Sequence, residues 1–217
     1  MMLGIFEHFQ PQLDELLCCQ PLLKHHICAG YVLITGAYCI RVLYEDEEFE
    51  GVFEVEAIVS FDFPLTLPKI REVGGKIRRR GFEHIYPDRE LCLEVDTKVK
   101  IDLLKNPSLI YFFETYVTSY FFSYLYYEKY RKFPFGERSH GEKGILEYYC
   151  ELFMVRDPET AKQLLHYLCG THLKGHHPCP CMSGNRYRNC HLPKIIELKN
   201  SPYYLLFQQD YALMAKR

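Results

Sequence analysis

Three of the chain's ten cysteines, Cys179, Cys181 and Cys190, crowd into twelve residues, and His191 follows directly. Two thiolates two residues apart can clamp one metal ion from a tight turn. Cys190 and His191 then return from the other side to complete a tetrahedron. Soft sulfur with one imidazole suits Zn2+, and four protein ligands leave no open position for water. Such a site is structural: it holds together a piece too small for its own core, because metal-binding free energy becomes folding free energy. His172, His176 and His177 lie just upstream and read as solvated loop histidines, the alternative being that one is a stray ligand.

With the Ser183-Gly184 turn and the basic Arg186-Tyr187-Arg188 before the last ligand pair, this stretch closely resembles the SEC-C motif. That motif is a zinc-binding module found at the tail of the bacterial preprotein translocase motor and appended to many other bacterial proteins. The resemblance implies a small docking module, a structural zinc on Cys179, Cys181, Cys190 and His191, and a bacterial source.

A second chemical segment lies upstream. A strand-like stretch from Val52 runs to Phe63-Pro64, with Pro68 completing the turn, and Leu91-Cys92-Leu93 follows with His84 eight residues before the cysteine. The order and spacing resemble the ubiquitin-conjugating enzymes, over roughly residues 4–154. In that family a strand ends in an aromatic-Pro-x-x-x-Pro turn, a His-Pro-Asn motif comes next, and the catalytic cysteine follows the Asn by eight residues. Here Phe82-Glu83-His84 takes the place of His-Pro-Asn, Arg89 sits in the turn before the cysteine, and the family's later Trp is absent. The resemblance implies a cysteine thioester transferase. Cys92 would receive a ubiquitin-like modifier from an activating enzyme and pass it to an amine on a protein target, in bacterial pathways often tied to anti-phage defence.

The chemistry required is a thiolate nucleophile and a nearby donor for a tetrahedral oxyanion. His84 can be that donor or, when neutral, a general base for the amine. Asp88 and Asp96 flank the site and can orient or deprotonate a lysine, or be solvated turn residues. Tyr86 can pack or donate a hydrogen bond. A lone cysteine is most often a small buried hydrophobe, so the rival is a non-catalytic adaptor that uses the conjugating fold and the zinc module to bind proteins. The departures at His84 and Arg89 favour that rival.

The elements that must position these residues read as an α+β domain of the ubiquitin-conjugating type (helix, antiparallel meander, helices), followed by a zinc module. The domains fall at 1–154 and 155–217, with composition turning to His, Cys, Gly and Pro from Thr171. A helix is expected over 4–26, with Leu13, Leu16, Leu17 and Leu23 on one stripe and Pro11 and Pro21 as break points. Ala37–Tyr44 and Val52–Phe61 form a hairpin around the polar turn 45–48, and Lys69–Val73 a third strand. Asn106 as N-cap with Pro107 starts an aromatic helix running to about Arg131. Ile145–Met154 is helical, and Asp157-Pro158 opens a helix that Gly170 closes. The polar loop 136–141 reads as a connection between two helices, the alternative being a loop that lies beside Cys92. Lys69, Arg71, Lys76, Arg78, Arg79 and Arg80 form a basic cluster that can dock an acidic surface or simply be solvated.

The 217 residues carry 26 basic and 28 acidic side chains, a net charge of -2, which gives no global footprint for nucleic acid. No nucleic-acid partner is expected. The run of most interest for a membrane, the thirteen uncharged residues 115–127, is short of the ~20 residues a spanning helix needs, so no membrane partner is expected. The first residues carry Glu7 and no basic start, so no secretory signal is expected. Without a disulfide framework, the ten cysteines fit a reducing cytoplasm.

Overall fold

The apolar–polar alternation builds one antiparallel sheet of four strands in sequential order: β1 (Leu23–Ile27), β2 (Tyr31–Tyr44), β3 (Glu47–Ser60) and β4 (Lys69–Glu72). The computed structural model describes residues 2–78, 82–170 and 173–215, so Arg79, Arg80, Gly81 and His172 lie outside the described residues. β2 and β3 pair along their whole length, from Tyr31 opposite Ser60 to Tyr44 opposite Glu47. The turn between them is only Glu45 and Asp46, both with positive φ (50° and 63°), the backbone a two-residue hairpin of this hand demands. On β3, Phe53, Val55, Ala57 and Val59 face the core, while Val52 is 49% exposed on the outer face.

The core beneath the sheet is aromatic. Phe53 stacks on Phe121 with ring centroids 4.0 Å apart, and Phe49 meets Phe122 edge-on at 5.2 Å. The partner rings come from a helical run of three pieces: α3 (Leu109–Phe112), a π-helical turn (Phe113–Thr118) and α4 (Ser119–Tyr130). The Tyr38 hydroxyl spans the π turn, donating to the Phe113 carbonyl at 3.3 Å and meeting Thr118 Oγ1 at 2.8 Å. The run ends at Arg131, left-handed with φ 55°, as the sequence places it.

Its start differs from expectation. Asn106 caps the C-terminus of α2 (Asp96–Lys105) instead of opening the aromatic helix. Ser108 is the N-cap, its hydroxyl accepting from Tyr111 N at 3.2 Å. The N-terminal helix also differs. α1 (Met2–Cys19) stops before Pro21, and Leu23 is buried from β1, not from the helix. Proline restricts the residue before it and lacks a donor, and β1 gains a ladder with β2 from Leu23 opposite Gly36. Gly36 has φ 130°, and a Cβ there would lie 2.4 Å from the Leu22 carbonyl oxygen. Only glycine lets β1 approach so closely.

Packing divides the chain between Glu137 and Arg138, upstream of the expected 154/155 boundary. The reason is α5 (Gly141–Phe153): its buried Leu146, Tyr149 and Phe153 pack with the Ala161, Leu164, Leu165 and Leu168 face of α6 (Pro158–Cys169), so α5 belongs to the second unit. Asp157 caps α6 by accepting from Thr160 N at 2.9 Å. Gly170 ends it with a negative φ of -120°, its N–H donating to the His166 carbonyl. The second unit closes with α7 (Leu192–Lys199) and α8 (Tyr204–Ala215). No helix among the described residues is long and apolar enough to cross a membrane.

Candidate functional site

In the first unit, residues 84–92 form a narrow loop closed like a small hairpin. Tyr86 N donates to the Glu90 carbonyl at 2.9 Å, and Cys92 N to the His84 carbonyl at 2.9 Å. Ile85 and Leu91 bridge between them. The eight-residue spacing therefore returns Cys92 to the level of His84. The loop is tied to the sheet by Leu91 N on the Ile70 carbonyl and Glu72 N on the Arg89 carbonyl (2.8 and 3.2 Å). From α4, the Tyr120 hydroxyl donates to the His84 carbonyl at 2.9 Å.

Cys92 is half-buried. The Tyr86 hydroxyl donates to its sulfur at 3.7 Å, and one ring nitrogen of His84 lies within 4.8 Å of that sulfur. The His84 ring is mostly covered, with Phe133 edge-on at 5.1 Å and Phe82 at 5.5 Å. Its Nε2 meets Glu137 Oε1 at 3.2 Å. Burial pushes the Cys92 thiol above its ordinary range. The Tyr86 hydrogen bond works against that rise, and the charges of Asp96 and Glu94 add to it. The hydrogen bond to Cys92, then burial, pushes Tyr86 up to about 12.

Of the residues the sequence singles out, Cys92, His84 and Tyr86 come together. Asp96 opens α2 on the surface and acts on the thiol through its charge. Asp88 is engaged elsewhere: its carboxylate accepts from Glu90 N at 3.2 Å and pairs with Arg71 at 3.6 Å. Sequence reasoning leaves Glu137 in a loop that either connects two helices or lies beside Cys92, and assigns it no role. The left-handed Arg131 and the packing of Phe133 on Tyr127 (5.0 Å) and Phe82 (5.9 Å) turn the chain back and deliver it to His84. Three described members of the basic cluster are drawn into the unit's own contacts, and Arg78 stands exposed. Lys69 pairs with Glu90, Arg71 with Glu56, and Lys76 donates to the Val52 carbonyl over the Phe53 ring.

In the second unit, a bridge between Pro178 and Arg186 closes a knuckle, with Met182 and Gly184 at positive φ (54° and 79°). A short 3-10 turn, Tyr187–Asn189, carries the chain to Cys190, and α7 begins after His191. The ligand atoms of Cys179, Cys181, Cys190 and His191 all lie within 4.8 Å of one another and can hold a metal ion. His191 Nδ1 is 3.2 Å from Cys179 Sγ and 3.3 Å from Cys190 Sγ, and the Cys181 and Cys190 sulfurs are 3.5 Å apart. Four such ligands around a tetrahedral ion stand roughly 3.3–3.8 Å apart, so the donor set fits. His191 Nε2 donates to the Phe153 carbonyl at 2.9 Å. That contact fixes the tautomer and leaves Nδ1 as the lone-pair nitrogen facing the sulfurs.

The clustered thiols differ in acidity. Burial pushes Cys179 up to about 12. At Cys181 burial also raises the value, but hydrogen bonds from Ser183 and the neighbouring thiols outweigh it and bring it down to about 6.

Compared with family models, curated proteins and solved structures, the chain matches none.

Proposed function

We propose that the first unit is a conjugating-enzyme-like carrier. Cys92 takes a ubiquitin-like modifier as a thioester from an activating enzyme and passes it to an amine on a target protein. The observation that carries this reading is a half-buried thiol that receives a hydroxyl donor from Tyr86 and has a His84 nitrogen within 4.8 Å. The order of helix, four-stranded antiparallel meander and following helices supports a ubiquitin-conjugating fold. Placement in a bacterial anti-phage conjugation pathway rests on the sequence resemblance alone.

The site's chemistry suits a carrier. A thiol held above its ordinary pKa is protonated at rest and resists adventitious reaction. The Tyr86 hydroxyl favours the thiolate when the thioester is broken, and His84 offers a proton acceptor beside the incoming amine. In the second unit the metal is zinc, chosen by three thiolates and one imidazole. Bound by four protein ligands, it supplies folding energy and no open coordination position.

The adaptor reading has one observation in its favour: His84 stands where the conjugating enzymes carry Asn. One experiment separates the two. The full-length protein is mixed with ATP and the activating enzyme and modifier of a bacterial ubiquitin-like pathway, then run on a non-reducing gel. The carrier gives a reductant-sensitive adduct. Cys92→Ser gives a weaker, reductant-resistant one, and Cys92→Ala gives none. Loading that survives Cys92→Ala moves the assignment to another cysteine, and no adduct with a proven partner enzyme establishes the adaptor.

A further inference from the structure

Building on the carrier reading, we infer that Glu137 is a positioning residue for the transfer step: it holds His84 in the tautomer that accepts the proton of an incoming primary amine. Three observations carry this. His84 Nε2 faces Glu137 Oε1 at 3.2 Å, so that nitrogen carries the hydrogen and Nδ1 is left basic. The ring is clamped by Phe133 and Phe82, so the contact sets the orientation of a covered group and not of a solvated one. The same ring has a nitrogen within 4.8 Å of Cys92 Sγ, where the thioester carbon would be attached. His84 thus lies beside both the thiol and the Glu137 carboxylate, and a base aligned by a third group requires both neighbours.

The step balances as follows. The amine nitrogen bonds to the acyl carbon while the carbon–sulfur bond breaks. Its electron pair remains on Cys92 Sγ, where the Tyr86 hydroxyl donates. The proton lost by the amine goes to Nδ1 of His84, and the imidazolium formed is stabilised by the Glu137 carboxylate on its other side. That proton then passes to the thiolate, giving the amide and the free thiol.

The test needs no partner enzyme. The full-length protein is acylated on its accessible thiols with the N-acetylglycine thioester of 2-mercaptoethanesulfonate. Loss of each thioester to free lysine is followed by peptide mass spectrometry. Exposed Cys39 serves as the in-molecule reference. Cys92 should discharge to lysine faster than Cys39 by a factor on the order of 10². His84→Ala should remove that advantage, and Glu137→Ala should remove at least half of it on a logarithmic scale. The double variant should match His84→Ala, because the two act as one unit. Nitrogen-15 spectra should show His84 as the Nε2–H tautomer in the wild type and a mixture of tautomers in Glu137→Ala. Wild-type discharge from Glu137→Ala, additive losses in the double variant, or an unchanged tautomer would each overturn the inference. A lysine advantage at Cys92 that persists while activating enzyme fails to load it would keep the relay and remove the carrier reading.

Discussion

Arg89 reaches back from the turn before Cys92 and donates through Nη2 to the carboxylate of Glu72, a residue with no exposed surface. Its Nε and Nη1 donate to the carbonyls of Glu72 and Ile77, both at 2.9 Å. The same carboxylate accepts from Lys76 N at 3.0 Å and from Ile77 N at 3.4 Å. One ion pair therefore pins β4, the segment after it and the loop bearing the candidate nucleophile. It also accounts for a non-glycine residue at φ 72° in that turn: the guanidinium is retained at the expense of backbone strain.

Breaking this pair from one side should be costly. Arg89→Ala strands a buried carboxylate and should destabilise the first unit by about 3–5 kcal/mol. Arg89→Gly relieves the backbone and should still lose most of that stability. Replacing both partners with apolar residues, Glu72→Leu with Arg89→Met, should recover a large part. Denaturant unfolding monitored by tyrosine fluorescence, with hydrogen exchange across residues 69–92, measures all three. Equal stability of Arg89→Gly and wild type would show that the turn, and not the ion pair, sets the loop.

Metal removal should act on the second unit. Purified protein should carry about one zinc per chain by mass spectrometry of the native form. Cys181→Ser should lose it, and chelation should raise hydrogen exchange over 173–199 while leaving the sheet of the first unit protected. All ten cysteines titrating freely in metal-replete protein would contradict the site.

A second polar pair lies inside that unit. The Tyr149 hydroxyl donates to Asp210 Oδ2 at 2.8 Å, and both residues are buried. Tyr149→Phe keeps the ring and removes a donor from a buried carboxylate, so it should cost about 1–3 kcal/mol. A thermal melt compared with Tyr148→Phe reads the difference. A loss no larger at Tyr149 than at Tyr148 would mean that other partners satisfy Asp210 without this hydroxyl.

Periodicity made the β2–β3 hairpin legible, because Phe53, Val55, Ala57 and Val59 alternate with polar residues and one face is buried. The Asp157-Pro158 start and the Cys179, Cys181, Cys190 and His191 cluster that can hold a metal ion were legible because each rests on local chemistry. α2 was not, for a physical reason. Its buried residues, Thr97, Val99, Ile101 and Leu103, recur every second position, as in a strand. Asn106-Pro107 carries a valid start signal, yet Ser108 wins the capping role once Asn106 closes α2. Within the site, Cys92, His84 and Tyr86 share one loop, and their spacing shows it. Glu137 and the Glu72–Arg89 pair depend on contacts 53 and 17 residues apart in sequence, which no local pattern encodes.

The thiol itself gives the last prediction. Cys92 sits above its ordinary pKa because burial penalises the thiolate. Asp96 and Glu94 oppose a further negative charge, and the Tyr86 hydroxyl partly compensates. The signs for single variants follow. Tyr86→Phe removes a donor that favours the thiolate, so the pKa rises further and less thiolate is present at any given pH. Asp96→Asn removes a repelling charge, so the pKa falls and more thiolate is present. Iodoacetamide labelling of Cys92 across pH 7–10, read by peptide mass spectrometry, should therefore rank Asp96→Asn fastest, wild type next and Tyr86→Phe slowest at pH 8. Exposed Cys39 should label before Cys92 in all three proteins. Each variant should shift the midpoint without changing the plateau at high pH, because the nucleophile is the same. A Tyr86→Phe protein that labels faster than wild type would show that the tyrosine shields the sulfur and does not stabilise its anion, and Tyr86 would then drop out of the transfer chemistry.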